Sequence, residues 1–152
     1  MNVAIQNHDF LVCNNIKSYT DLGDRGSPKG EVREMCYSRV ASTLKDSRGC
    51  ELMPDKAQLG GLQDTWFTTK IACFKEADPA ELPVALCDLY LDETLQCSSC
   101  YDASARERAR DQCYSSAAQA KRNPALCEGI KASSYPIYGE HPIVECRVKS
   151  SQ

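Results

Sequence analysis

Cys97 and Cys100, in QCSSCY at 96–101, have the Cys-x-x-Cys spacing used for thiol–disulfide exchange. At the start of a helix that spacing lowers a thiol's pKa and lets a disulfide form and break. The pair precedes a helix expected from 101, so the position suits the chemistry. The surroundings do not, because no strand–helix–strand pattern frames it. A local disulfide, or separate bonds 87–97 and 100–113, is the stronger expectation. Cys87, Cys97, Cys100 and Cys113 could also offer four thiolates to zinc or an iron–sulfur centre, but zinc ribbons present two Cys-x2-Cys pairs and this chain has one. His8 and His141 are far apart in sequence, and neither has an activating carboxylate that sequence can certify. LGDRG and LGG are too short for a phosphate loop, and Asp92 with Glu93 reads as a solvated turn. No catalytic set emerges, so the expectation is a non-enzymatic protein without metal or cofactor.

Composition sets the frame. The 152 residues include ten cysteines, at 13, 36, 50, 73, 87, 97, 100, 113, 127 and 146, and only two histidines. An even, high cysteine count points to a disulfide framework and an oxidising compartment, outside the cell or at its surface. MNVAIQNHDF lacks the basic start and apolar run of a secretory leader, which is expected to have been removed. No apolar run has the length of a membrane span. A net charge of -3 argues against nucleic acid as partner, since phosphate binding needs excess Lys and Arg. Arg106, Arg108, Arg110, Lys121 and Arg122 cluster, but Asp102, Glu107 and Asp111 interleave with them, predicting a solvated face of ion pairs.

Behind the cysteines lies an internal repeat. RDQCYSSAAQAKRNPALCEGI at 110–130 echoes REMCYSRVASTLKDSRGCELM at 33–53. The intervals 36–50, 73–87 and 113–127 are each fourteen residues. An aromatic residue follows the first cysteine of each pair (Tyr37, Phe74, Tyr114), and Ala41 and Ala118 stand five positions after it. Four positions before the second cysteine stands a helix-starting residue, Asp46 or Asn123, and Asp9 stands likewise before Cys13. This period is that of stacked helical hairpins. Each unit therefore reads as a helix A (31–45, 62–77, 101–122), an elbow, and a shorter helix B (9–18, 47–53, 79–90, 124–132). Ala105, Ala109, Cys113 and Ala117 form one stripe along the third helix A, where a neighbouring helix can approach. Trp66, with Phe67, Ile71 and Phe74, reads as a core anchor on the second. Strand content is expected to be low.

Two pairings compete. Joining A to its following B gives 36–50, 73–87 and 113–127; joining B to the next A gives 13–36, 50–73, 87–113 and 127–146. Cys36 lies ten residues before the Asp46 elbow, roughly 15 Å along a helix, whereas Cys50 lies four after it, roughly 6 Å. That mismatch exceeds the Cα separation of about 7 Å a bridge tolerates. B-to-A pairing is therefore favoured.

The chain opens on what matches the second half of a unit (VAIQNHDFLVCNNI) and closes on what matches the first half of another (IVECRVKSSQ). Complementary halves would let copies join head to tail into a filament. The 33–53 and 110–130 segments also resemble the short Cys-x13-Cys helical repeats of secreted or surface-attached prokaryotic proteins. That resemblance implies an extracytoplasmic scaffold and carries over no catalytic residue. The segment IACFKEADPAELPVALCDLY departs from it, with Asp78 at the small-residue position and Pro83 at the cap. The expectation is an all-α, disulfide-rich array of stacked helical hairpins, a single domain over 1–152, structural and self-assembling at the cell surface. Two other functions are carried beside it: a redox protein acting through Cys97 and Cys100, and a monomeric binding module using Tyr135, Ile137 and Tyr138.

Overall fold

The computed structural model describes residues 2–15, 29–55, 57–58, 66–67, 69–92, 102–131 and 142–152. Cys97, Cys100, Tyr135, Ile137, Tyr138 and His141 lie outside these residues, as does the side chain of Trp66. The fold is all-α and disulfide-rich. Its α-helices are α1 (Asn2–Asn7), α2 (Lys29–Leu44), α3 (Arg48–Glu51), α4 (Thr69–Ala77), α5 (Ala103–Lys121) and α6 (Pro142–Ser150). Between them run 3-10 turns at Phe10–Asn15, Pro79–Glu81, Val84–Leu91 and Pro124–Gly129.

The chain divides into two compact units, Met1–Asp78 and Pro79–Gln152. In the first, α2 packs against α4, α3 and the Phe10–Asn15 turn. In the second, α5 packs against Val84–Leu91, Pro124–Gly129 and α6. Each unit thus holds two short pieces, each followed by a helix. The predicted helices A at 31–45 and 101–122 appear nearly at their expected bounds, as α2 and α5. Asp102 caps α5, its Oδ1 accepting the Ala105 N–H at 2.6 Å.

Two expectations are corrected. The second helix A was expected from 62, but α4 begins at Thr69, and Trp66 and Phe67 instead form strand β2, which pairs antiparallel with β1 (Ala57–Gln58). Trp and Phe favour extended backbone when a partner strand is at hand, and that preference prevails here. Of the helices B, only α3 is α-helical; the others are 3-10 turns. Pieces this short gain little from α-helical bonding alone, so packing decides the form, and most of them close as the tighter 3-10 turn.

The elbows explain the fixed fourteen-residue interval. His8, Lys45 and Arg122 are the non-glycine residues with positive φ (52°, 54° and 49°) among the described residues. Each stands five positions before a B cysteine. After Lys45 and Arg122 the chain reaches back: the Asp46 N–H bonds the Ala41 carbonyl at 3.1 Å, and the Asn123 N–H bonds that of Ala118 at 2.9 Å. This six-residue closure with a left-handed penultimate residue is a Schellman ending. It gives the two alanines their role, since both are buried at the last turn where a larger side chain would hold the elbow open. The next side chain then starts the following turn. Oδ1 of Asp9, Asp46 and Asn123 accepts the N–H two residues on, from Leu11, Arg48 and Ala125, at 2.9, 3.1 and 3.1 Å.

The elbow at 78–83 is built differently, as its sequence foretold. α4 ends at Ala77, the turn Pro79–Glu81 follows, and Pro83 is extended (φ -65°, ψ 113°) ahead of Val84–Leu91. Leu82 fills the position that is left-handed elsewhere and is buried. The boundary between the two units falls here.

The interior is made of small groups. Of the 24 buried apolar residues described, eight are cysteines and six are alanines. Phe10, Tyr37, Val40, Met53, Ile71 and Phe74 in the first unit, and Leu82, Leu86, Tyr90 and Ile130 in the second, supply its larger side chains. Cores with so little large apolar surface depend on cross-links.

Candidate functional site: the disulfide lattice and its polar latches

Among the described residues, four disulfides join each short piece to the next helix: Cys13–Cys36, Cys50–Cys73, Cys87–Cys113 and Cys127–Cys146. These are the B-to-A pairs. Their Cα separations are 5.7, 5.7, 5.6 and 5.9 Å, within the range a bridge accepts without moving backbone. All eight cysteines are buried, and among the described residues none is free. The stripe Ala105, Ala109, Cys113 and Ala117 is buried too. Its Cys113 bonds the 3-10 turn Val84–Leu91 rather than another α-helix.

One residue beyond the cysteines of three of these bonds, the bonded pieces meet again. Tyr37, after Cys36, donates its hydroxyl to Oδ1 of Asn14, after Cys13. Tyr114, after Cys113, donates to both carboxylate oxygens of Asp88, after Cys87, at 3.3 and 3.2 Å. Arg147, after Cys146, donates to Oε1 of Glu128, after Cys127. At the fourth bond the corresponding residue is Phe74, which has no hydroxyl and is buried. A polar latch beside a disulfide fixes the twist between the two pieces, which the sulfur bond alone leaves free.

Among the described residues, a dense polar cluster surrounds Arg110. Its Nε donates to Asp88 Oδ1 at 2.7 Å, and its Nη1 donates to Asp111 Oδ1 at 3.1 Å and to the Gly129 carbonyl at 2.6 Å. The guanidinium carbon lies 4.6 Å from the centre of the Tyr114 ring. Asp111 Oδ1 also accepts the Lys131 N–H at 3.2 Å. Arg110 is 6% exposed and Asp111 1%, which corrects the expectation of a solvated ion-pair face for these two. Arg110 and Tyr114, four apart, share a helix face, and the Cys87–Cys113 bond sets Asp88 against it. Burial works to lower the Arg110 pKa; the hydrogen bond and charge of Asp88, then Tyr114 and Asp111, outweigh it and raise it. The Tyr114 phenol is raised, first by burial and then by the Asp88 charge, with Arg110 opposing.

Gly129 completes the cluster. A Cβ there would overlap the Tyr114 ring, so glycine lets the ring approach the turn this closely. Gly49 does the same for the Phe10 ring in the first unit, where a Cβ would lie 2.5 Å away.

The polar groups of this cluster are turned on one another, an arrangement that holds pieces together. Elsewhere, Lys121 donates to the Ala80 carbonyl, Lys45 donates to the Glu76 carbonyl at 2.8 Å, and Arg106 donates to the Asp92 carbonyl at 2.6 Å. Asp46 is held below its ordinary value, chiefly by the hydrogen bond from Arg48. His8 occupies an elbow and is exposed. Among the described residues, no helix is long and apolar enough to cross a membrane and no acid–cysteine–histidine group has metal-site geometry. The Arg110 cluster escaped the sequence reading. The signal that could have found it is the shared pattern Arg-acid-x-Cys-Tyr at 33–37 and 110–114, combined with the polar residue after each partner cysteine. Compared with family models, curated proteins and solved structures, the chain matches none.

Proposed function

We propose that the chain is a non-enzymatic extracellular structural protein, a disulfide-stapled helical scaffold that associates with copies of itself at the cell surface. One observation carries the reading: eight buried cysteines join consecutive pieces of chain, and with six alanines they make up more than half of the buried apolar residues described. Such a framework needs an oxidising compartment to form, and keeps its shape where a thin apolar core would not. The charged cluster at Arg110 supports it, since its groups bind neighbouring pieces of the same chain.

None of the eight described cysteines is free, so among the described residues it is non-covalent surface that can carry the association. On α6, Val144 and Val148 are exposed one turn apart, flanked by the Glu145–Lys149 ion pair. Two such helices set antiparallel would match valine to valine and acid to base, an isologous contact. Light scattering and electron microscopy on native protein test this. Particles larger than one chain that dissociate on Val144→Glu with Val148→Glu support the association. Monomers at every concentration remove it, and protein found only in a reducing compartment removes the extracellular scaffold.

A further inference from the structure

The four disulfides among the described residues are consecutive and do not overlap. They close loops with sequence separations of 23, 23, 26 and 19 residues. The segments between them, 36–50, 73–87 and 113–127, are each fourteen residues. All the length variation therefore sits inside closed loops, and all the constancy sits outside them. A pull applied to the two ends of the chain passes from each B cysteine across sulfur to the next A cysteine, bypassing the loop between. What carries tension is the fourteen-residue segments alone. Two of these three, 36–50 and 113–127, hold the same devices: the Schellman closures onto Ala41 and Ala118, the left-handed Lys45 and Arg122, and the side-chain turns of Asp46 and Asn123.

We propose that the protein is an extension-limited tether, a spacer that bears tension along the disulfide-shunted path and keeps its closed loops out of the load. This deepens the structural reading above and rests on it. The loops can change length freely because they carry no force; the elbows cannot, because each sets the distance and rotation between successive disulfides. The latches at Tyr37–Asn14, Tyr114–Asp88 and Arg147–Glu128 lie at the points where force crosses between pieces. Reduction lengthens the tether. Each reduced bond releases its loop, adding about 7.5 nm each for Cys13–Cys36 and Cys50–Cys73, about 8.5 nm for Cys87–Cys113 and about 6 nm for Cys127–Cys146, at roughly 3.5 Å per extended residue.

Single-molecule stretching of the full chain, held at its two ends, tests this. Oxidised protein is expected to unfold to a limited length, then gain steps of those sizes when dithiothreitol is added. A short Gly-Ser insertion between Pro54 and Asp55, inside a closed loop, is expected to leave both the unfolding force and the oxidised length unchanged. The same insertion between Lys45 and Asp46 is expected to lower the force and lengthen the oxidised chain. Full extension without reductant means the thiols are not joined, and overturns the scaffold reading itself. Limited extension with equal softening by both insertions overturns the tether and leaves the scaffold standing. If the elbow insertion does not fold, the parent chain decides: an unfolding force no higher before reduction than after it also overturns the tether.

Discussion

The Tyr114 hydroxyl donates to the carboxylate of Asp88 at 3.2 Å, and each of these residues directly follows one cysteine of the same disulfide, Cys87–Cys113. The equivalent pair in the first unit, Tyr37 and Asn14, is bonded in the same way beside Cys13–Cys36. A covalent bond and a hydrogen bond one residue apart define an axis and a rotation about it. The shared geometry makes Tyr114→Phe and Tyr37→Phe parallel tests. Each is expected to cost about 1 kcal/mol in chemical denaturation of the oxidised protein, the usual net worth of one such bond. Tyr114→Phe that leaves the unfolding midpoint unchanged would show the latch to be idle.

Arg110 joins α5 to two other pieces of the second unit, through Asp88 and the Gly129 carbonyl, and also meets Asp111 and the Tyr114 ring on α5 itself. Arg110→Met keeps the volume but takes the cation from beside the buried Asp111. A loss of about 3 kcal/mol is expected, because breaking one side of a buried ion pair costs far more than the pair contributes. Arg110→Lys should restore little, since an ammonium cannot reproduce the forked contacts. Equal stability of the Lys variant and the parent would contradict the geometry.

Gly129→Ala sets a methyl against the Tyr114 ring and is expected to destabilise by about 1–3 kcal/mol. The cost should shrink when Tyr114 is also truncated to Ala, so a double-mutant cycle reads the contact directly. Strict additivity of the two changes would place the clash elsewhere.

Alkaline pH should weaken the second unit through Tyr114. Its folded pKa is raised above the ordinary value of 10.0, so the folded state favours the protonated phenol. The stability this contributes is fully present below that value and is lost as pH rises through the folded pKa. Denaturation midpoints followed from pH 9 upward should fall for the parent and fall less for Tyr114→Phe. Identical pH profiles would contradict this assignment.

Arg122 holds a left-handed conformation that costs a side-chain-bearing residue about 1 kcal/mol. Arg122→Gly is therefore expected to stabilise by up to about that amount, less the entropy glycine loses on folding. Destabilisation by more than 1 kcal/mol would show that the Arg122 side chain does work at the elbow beyond its backbone.

What was legible in the sequence was periodic. The cysteine intervals, the alanines at 41 and 118 and the caps at Asp9, Asp46 and Asn123 recur at fixed offsets, and they gave the helices at α2 and α5, the elbows and the favoured sulfur pairing. Three things were not legible, for separate reasons. Trp66 and Phe67 lie in β2, because two-residue pairing depends on a partner at Ala57–Gln58 that leaves no local pattern. The left-handed His8, Lys45 and Arg122 carry no glycine to announce them, and only their shared place five before a cysteine gives them away. Arg110 looked solvated because charge alternation along α5 is a one-dimensional signal, whereas its burial is created by Asp88 and Gly129 arriving from other segments.

Peptide mapping of unreduced, alkylated native protein by mass spectrometry bears most directly on the scaffold. The peptides joined should be Cys13 with Cys36, Cys50 with Cys73, Cys87 with Cys113, and Cys127 with Cys146. Bonds at 36–50 or 113–127, or alkylated thiols at these eight positions, would contradict it.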